Sequence, residues 1–69
     1  MQVSARNLIP GTIKELTQGA VNSELIIEIA PGIEMVSIIT KRSVEAMGLK
    51  VGSKVKAMVK ASSVMVVTD

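Results

Sequence analysis

The 69-residue chain contains no cysteine, no histidine and no aromatic residue. Without cysteine it has neither a disulfide nor a thiolate ligand, and without histidine it lacks the commonest metal ligand and the usual general base. Its glutamates are scattered, so neither a pair of carboxylates nor a nucleophile beside a base can be recognised. We therefore predict that the protein is not an enzyme and has no residues that bind a metal cation directly.

Long hydrophobic runs and clustered charge are also lacking. No apolar run approaches the roughly 20 residues that a membrane-spanning helix needs, and no N-terminal signal pattern is visible. The net charge is +2, and the basic residues are interspersed with acidic ones. These features predict a soluble intracellular protein that has neither a membrane nor a nucleic acid as its partner.

The chain is instead rich in aliphatic residues. Hydrophobic residues make up 48% of the sequence, and none of them is aromatic. A domain this short buries a small share of its surface, and small scaffolds often gain stability by oligomerisation. We therefore expect part of this apolar surface to lie in an interface between subunits.

Turn residues divide the first half of the chain into three predicted strands. The first covers residues 3–8 and 12–16 with an interruption at Pro10-Gly11, because proline followed by glycine is typical of turns. Breaks follow at residues 18–19 and 22–23. Residues 24–29 and 33–39 then form a hairpin around residues 30–32.

The second half of the chain is predicted to hold one helix and two strands. Thr40 or Ser43 can cap the start of a helix over residues 40–49, and Gly48 suits its C-cap. Residues 54–60 alternate between apolar and mostly basic positions, and residues 62–68 form a last strand that is apolar on both faces. Five strands, with the helix between the third and fourth, favour an all-β fold: one domain over residues 1–69 that forms a small OB-like Greek-key barrel.

Two short runs at opposite ends of the chain combine cations with hydroxyl groups and contain no carboxylate. They are Ser4-Ala5-Arg6-Asn7 and Lys60-Ala61-Ser62-Ser63. Because side chains alternate along a strand, Ser4 and Arg6 are expected to share one face, as are Lys60 and Ser62. Such a donor-rich, positively charged site suits a fully deprotonated oxyanion.

Five motifs in order, over nearly the whole chain, resemble those of the molbindins, the small Mop-type molybdate-binding proteins that are called TOBE domains in larger proteins. The motifs are Ser4-Ala5-Arg6-Asn7, Gly19-Ala20-Val21-Asn22, Ile39-Thr40-Lys41 with Ser43, Gly48-Leu49 and Lys60-Ala61-Ser62-Ser63-Val64. The resemblance implies an OB-like barrel and a homohexamer, a trimer of dimers. It also implies that molybdate or tungstate binds at subunit interfaces, for storage in the cytoplasm and without an organic cofactor.

The resemblance further implies two classes of anion site. In the first, between the subunits of a dimer, one subunit contributes Ser4, Ala5 and Arg6. The other subunit contributes Thr40, Ser43, Lys60 and the backbone N–H of Ala61. The second site, near the threefold axis, includes Val21, Asn22 and Ser62.

The chemistry of these residues suits molybdate, a tetrahedral dianion that accepts hydrogen bonds and donates none. Arg6 supplies a planar fork of N–H groups with a permanent charge, Lys60 supplies a second charge, and the hydroxyls and the helix start supply further donors. Phosphate carries a proton that a donor-only site cannot receive, whereas only the cavity size can exclude sulfate. Without histidine, the anion affinity is expected to change little between about pH 6 and 8.

Simpler interpretations and a second function stand beside this one. Arg6 and Lys60 can be solvent-exposed cations, and Thr40 and Ser43 can act as helix caps alone. The alternative function is an OB-type interaction module or a nucleic-acid-binding module without an oxyanion, although the latter lacks aromatic residues on which bases stack. The sequence does not decide which of molybdate and tungstate is preferred, or whether the role is storage, delivery or sensing. It also leaves open whether Lys41 or Arg42 reaches the anion.

Overall fold

The computed structural model describes residue 4 and residues 6–69. Four strands and one helix follow one another along the chain. They are β1 (Asn7–Gln18), β2 (Asn22–Ala30), β3 (Ile33–Thr40), α1 (Lys41–Met47) and β4 (Lys54–Val59), and a short 3₁₀ turn (Ala61–Ser63) comes after β4.

The four strands form one antiparallel sheet in the order β3-β2-β1-β4, curled into a half-barrel. The long strand β1 is shared between its two neighbours. Its first half pairs with β4, from Asn7 opposite Val59 to Thr12 opposite Lys54. Its second half pairs with β2, and the register shifts after Ile13 at a bulge. Because bulges increase local twist and bend a strand, this irregularity helps the sheet to curl.

The predicted interruption of the first strand is wrong, because β1 runs without a break through Pro10 and Gly11. At Pro10 the strand pairs only with β4, and its register with β2 begins at Thr12. Proline is tolerated on such a free edge, where a missing N–H disrupts no ladder. A Cβ on Gly11 would lie 2.6 Å from Ile27 Cγ2 and 2.9 Å from the carbonyl oxygen of Glu28, so glycine lets β1 pass close to β2.

The hydrophobic core lies on the concave face of the sheet. Ile13, Leu25 and Ile27 are almost completely buried there, and the partly buried Ile39 and Val55 pack against them. Val44 of α1 is also buried. The alternation predicted for β4 is confirmed, since Val55, Ala57 and Val59 are half-buried and the residues between them are exposed.

The predicted helix and hairpin are confirmed. Thr40 is the N-cap of α1, and Gly48 is the C-cap in the left-handed conformation, with φ 62° and ψ 36°. Leu49 packs against the core, and its N–H donates to the Val44 carbonyl at 3.0 Å. The β2–β3 hairpin turns at Pro31-Gly32, with Ala30 paired to Ile33.

The predicted fifth strand over residues 62–68 is not formed, so the described chain has four strands rather than five. Ser62 lies in the 3₁₀ turn, and the four apolar residues beyond that turn are in no strand. Met65, Val66 and Val67 are 93%, 88% and 92% exposed. A strand needs a neighbouring strand for its backbone hydrogen bonds, and these residues have none among the residues that the structure describes. In the part of the chain described here, no helix is long and apolar enough to cross a membrane.

Candidate functional site

Four of the predicted site residues meet where β2 begins and β3 ends. Asn22 pairs with Thr40 across the sheet, and the Lys41 N–H donates to the Val21 carbonyl at 2.8 Å. Ser43 lies within the first turn of α1. This group of Val21, Asn22, Thr40 and Ser43 is hereafter called the helix-start half-site.

The two hydroxyls of the helix-start half-site are hydrogen-bonded to each other. The Ser43 N–H donates to Thr40 Oγ1 at 3.1 Å, and Thr40 Oγ1 donates to Ser43 Oγ at 2.8 Å. A hydroxyl carries one hydrogen, so this arrangement uses the Thr40 donor and leaves the Ser43 hydroxyl hydrogen for a ligand. Thr40 is exposed and Ser43 is half-buried.

The backbone contributes fewer free donors than an uncapped helix start provides. Two of the first three N–H groups of α1 already have acceptors. The Lys41 N–H donates to the Val21 carbonyl, and the Ser43 N–H donates to the Thr40 hydroxyl. A cleft of about 560 Å³ opens beside them. Lys41 and Arg42 line it together with Glu45, so its charged groups are two cations and one carboxylate.

The second group of predicted residues lies where β1 begins and β4 ends. Asn7 forms the last pair with Val59, and its side-chain amide donates to the Val59 carbonyl at 3.2 Å. Arg6 and Lys60 come directly beyond this pair, and both are exposed. We call Arg6, Lys60 and Ala61 together the terminal half-site.

Three predicted residues at this end require separate comment. Ser4 is an exposed bend residue, and Ala5 lies outside the described residues. Ser62 was expected to share a strand face with Lys60, but it lies in the 3₁₀ turn, where the Ser63 N–H donates to the Lys60 carbonyl at 2.9 Å. The alternation that applies to a strand therefore does not apply to Ser62.

The two half-sites lie at opposite ends of β1. Gln18 ends that strand beside the helix-start half-site, whereas Asn7 begins it beside the terminal half-site. At roughly 3.3 Å per residue, the strand between them has a contour length of about 35 Å. A single tetrahedral oxyanion cannot span these ends within one chain. Ser62, which the resemblance assigns with Asn22 to the site near the threefold axis, lies at the opposite end of β1 from Asn22 within one chain.

Outside the two half-sites, Lys14 and Glu34 form an ion pair across the sheet. Lys14 Nζ lies 2.7 Å from Glu34 Oε2 on the solvent-exposed side of the sheet. The hydrogen bond to Glu34 and the negative charge of that carboxylate raise the pKa of Lys14 above its usual value. Within the described residues, no group of three histidine, cysteine or carboxylate side chains could hold a metal ion.

Ser23 was predicted to be part of a turn, and it is instead a buried polar residue. It belongs to β2, is 1% exposed, and its hydroxyl oxygen has no hydrogen-bond partner among the described residues. The signal for its burial was present, because Ser23, Leu25 and Ile27 alternate on one face of the strand. Its hydroxyl points to the core side of the sheet, directly beside Asn22 in sequence.

Comparison with known proteins finds a family that matches most of this chain. A family model described as the TOBE domain matches residues 3–66. Molybdenum-pterin-binding protein 2 of Clostridium pasteurianum is 42% identical over 66 residues, which cover 96% of this chain and 97% of that protein.

Two solved structures are similar to this fold. A molybdate-binding protein from Sporomusa ovata superimposes with a TM-score of 0.91 at 37% identity, covering 99% of this chain and 100% of the other. The cytoplasmic molybdate-binding protein ModG, with molybdate bound, superimposes with a TM-score of 0.83 at 41% identity, covering 88% of this chain and 43% of ModG.

Proposed function

The chain belongs to the TOBE domain family, and from this premise we propose that it binds molybdate, and tungstate in the same way, as an oxyanion between copies of itself. The observation that carries the proposal is the division of the site residues into two half-sites at opposite ends of β1. Each half-site offers cations or hydroxyl donors, and neither is complete alone. Two copies can supply what one copy cannot.

The chemistry assigned to each residue follows from its donors. In the main site, Arg6 and Lys60 neutralise the dianion, and Ser4 and Ser43 donate from their hydroxyls. The backbone N–H groups of Ala5 and Ala61 complete the set in this proposal, and Thr40 orients the Ser43 hydroxyl by donating a hydrogen bond to it. Hydrogen bonds to a charged partner contribute roughly 1.5–3 kcal/mol each, so a few of them support micromolar or tighter binding after the costs of association.

A second, weaker site is proposed around Val21, Asn22 and Ser62. Within one chain, Asn22 and Ser62 lie at opposite ends of β1. A site that uses both therefore needs at least two copies as well. Lys41 and Arg42 line the cleft beside Val21 and provide positive charge there without a committed ligand role.

Self-association is part of the proposal. We expect a homohexamer built as a trimer of dimers, in which each chain is one domain over residues 1–69. The exposed apolar residues at the C-terminal end support this, since Met65, Val66 and Val67 are each at least 88% exposed in the single chain. A partner strand that pairs with this segment would add the fifth strand of an OB-like barrel.

The proposed role is storage or homeostasis of the anion inside the cell. The protein is not proposed as an enzyme, and no organic cofactor is assigned to it. In this role the donors of the half-sites bind and release the anion without changing it chemically.

Calorimetric titration of molybdate into the purified protein, with excess sulfate present, tests the proposal. We expect about one anion per subunit or slightly more, undisturbed by sulfate. Arg6→Gln and Lys60→Gln should each weaken binding, whereas Lys50→Gln, which removes an exposed cation from the loop before β4, should not. An absence of heat in the wild-type protein would overturn molybdate binding.

An oligomeric interaction module without an oxyanion is the second candidate function. The exposed apolar residues of the sheet and of the C-terminal segment favour it, because they call for association whatever the ligand. This candidate predicts an oligomer of unchanged mass whether or not molybdate is added. The same titration therefore distinguishes the two functions.

A further inference from the structure

The convex face of the sheet carries two apolar patches with opposite surrounding charge. The first patch lies on β2 and β3, where Ile26, Val36 and Ile38 are neighbours across the two strands. Val36 and Ile38 are 61% and 66% exposed. We call this patch, together with the surrounding glutamates Glu15, Glu24, Glu28 and Glu34, the acidic face.

Strand register places these glutamates around the acidic face. Glu24 pairs with Ile38, and Glu28 pairs with Glu34. Glu15 of β1 pairs with Ile26. Lys14 is the one cation that reaches this face in the described chain, and it is engaged with Glu34.

The second patch lies on β1 and β4, where Leu8 pairs with Met58. These two side chains are 42% and 49% exposed. We call this patch, together with the neighbouring cations Lys54 and Lys56, the basic face. Lys56 pairs with Pro10 and Lys54 pairs with Thr12, so both lysines extend from the same side of β4 as Met58.

The charge separation between the two faces is large for this chain. The acidic face holds four of the six carboxylate residues, and with Lys14 its formal charge is −3. The basic face holds two cationic residues and no carboxylate, so its formal charge is +2. The chain as a whole carries only +2, so net charge conceals this asymmetry.

The two faces cannot meet within one chain, because both lie on the outer side of the same curled sheet. We propose that the acidic face of one copy docks on the basic face of the next copy, with Ile26, Val36 and Ile38 packing against Leu8 and Met58. The proposal deepens the self-association included in the proposed function and rests on that part of it alone.

Contact between unlike faces gives the assembly a direction. Two acidic faces brought together would repel each other, as would two basic faces, so a symmetric contact through either face is disfavoured. A contact between different surfaces is heterologous, and repeated heterologous contacts close into a ring when the rotation between copies allows it. The faces therefore predict cyclic contacts within the larger oligomer.

Charge reversal of each face tests this contact without molybdate. One variant carries Lys54→Glu and Lys56→Glu, which make both faces acidic, and the other carries Glu15→Lys and Glu24→Lys, which make both faces basic. In each variant we expect the protein concentration at half-dissociation, measured by native mass spectrometry and light scattering, to rise at least tenfold. Lys50→Glu, which reverses an exposed charge outside both faces, is the control and should leave the mass unchanged.

Restoration makes the test specific. The variant with all four reversals, and an equimolar mixture of the two double variants, should both recover association, because each again offers unlike faces. Circular dichroism checks the fold, and the milder pair Lys56→Gln and Glu24→Gln repeats the test if a reversed variant does not fold. A monomeric wild-type protein, unchanged mass in both double variants, or no recovery in the mixture would overturn the contact.

This test and the test of the proposed function can succeed or fail independently. If molybdate does not bind but charge reversal still changes the mass, the contact stands and the oxyanion function fails. If molybdate binds to an oligomer whose mass ignores these reversals, the proposed function stands and this contact is wrong.

Discussion

Ser43→Ala and Thr40→Val separate helix capping from anion binding at the start of α1. Thr40 Oγ1 accepts a hydrogen bond from the Ser43 N–H at 3.1 Å, so valine at position 40 removes the cap. The Ser43 hydroxyl caps nothing in the helix; its oxygen lies 2.8 Å from Thr40 Oγ1 and its hydrogen is left for a ligand. Thr40→Val should therefore affect both stability and binding, whereas Ser43→Ala should affect binding alone.

The expected magnitudes follow from these contacts. Loss of an N-cap costs about 1 kcal/mol, which for a domain of this size lowers Tm by about 4–8 °C. Alanine is a better helix former than serine, which offsets the lost hydroxyl contact, so Ser43→Ala should leave Tm nearly unchanged. One hydroxyl bond to a charged ligand contributes about 1.5–3 kcal/mol, so its loss should weaken molybdate binding about 10- to 150-fold.

Thermal unfolding followed by circular dichroism and calorimetric titration of molybdate measure the two effects. Protein concentration must be the same in every melt, because Tm depends on concentration when chains associate. Thr17→Val, at an exposed threonine of β1 outside the half-sites, is the matched control and should bind molybdate as the wild type does. Wild-type affinity in Ser43→Ala would refute the assignment of this turn to the anion site, and an unchanged Tm in Thr40→Val would refute the capping argument.

Three further predictions concern stability. Gly48→Ala should lower the free energy of unfolding by about 1–2 kcal/mol in urea titrations, because a φ of 62° is strained for alanine. Nothing lies within 4 Å of the new Cβ, so neither a clash nor a packing contact changes this cost, and Gly48→Asn should lower the free energy less. Ser23→Ala should leave stability unchanged or raise it by up to about 1 kcal/mol, since the hydroxyl is buried without a partner; a clear loss would show that the hydroxyl is hydrogen-bonded. Because Glu34 raises the pKa of Lys14 in the folded state, their pair contributes stability at pH values below the ordinary lysine pKa and loses it as pH rises through the folded value. The small difference in Tm between wild type and Lys14→Met should therefore vanish in melts at strongly alkaline pH. A difference in Tm that grows there would contradict the stabilising ion pair.

Local sequence determined the features that depend on a few neighbouring residues. The helix over α1 follows from Thr40 at its start and Gly48 at its end, and the β2–β3 hairpin follows from Pro31-Gly32. The alternation of Val55 and Ala57 with lysines gave the correct buried face of β4. These signals are reliable because a cap, a tight turn or a strand face is decided within a few residues.

Only the tertiary structure decided how these segments combine. Pro10 looked like a strand end, yet β1 continues through it because that part of the strand has a free edge. The last apolar segment looked like a strand, yet it pairs with no strand in the described part of the chain. A strand needs hydrogen bonds from residues distant in sequence, and neither alternation nor composition says where those residues are.

The candidate site divides in the same way. Thr40 and Ser43 were both predicted at the start of the helix, and the structure joins their hydroxyls there at 2.8 Å. That Arg6 and Lys60 lie together at the far end of β1 depends on the antiparallel register of β1 with β4. The sequence by itself predicted which groups bind an oxyanion, whereas strand register decided that one chain holds them in two separate places.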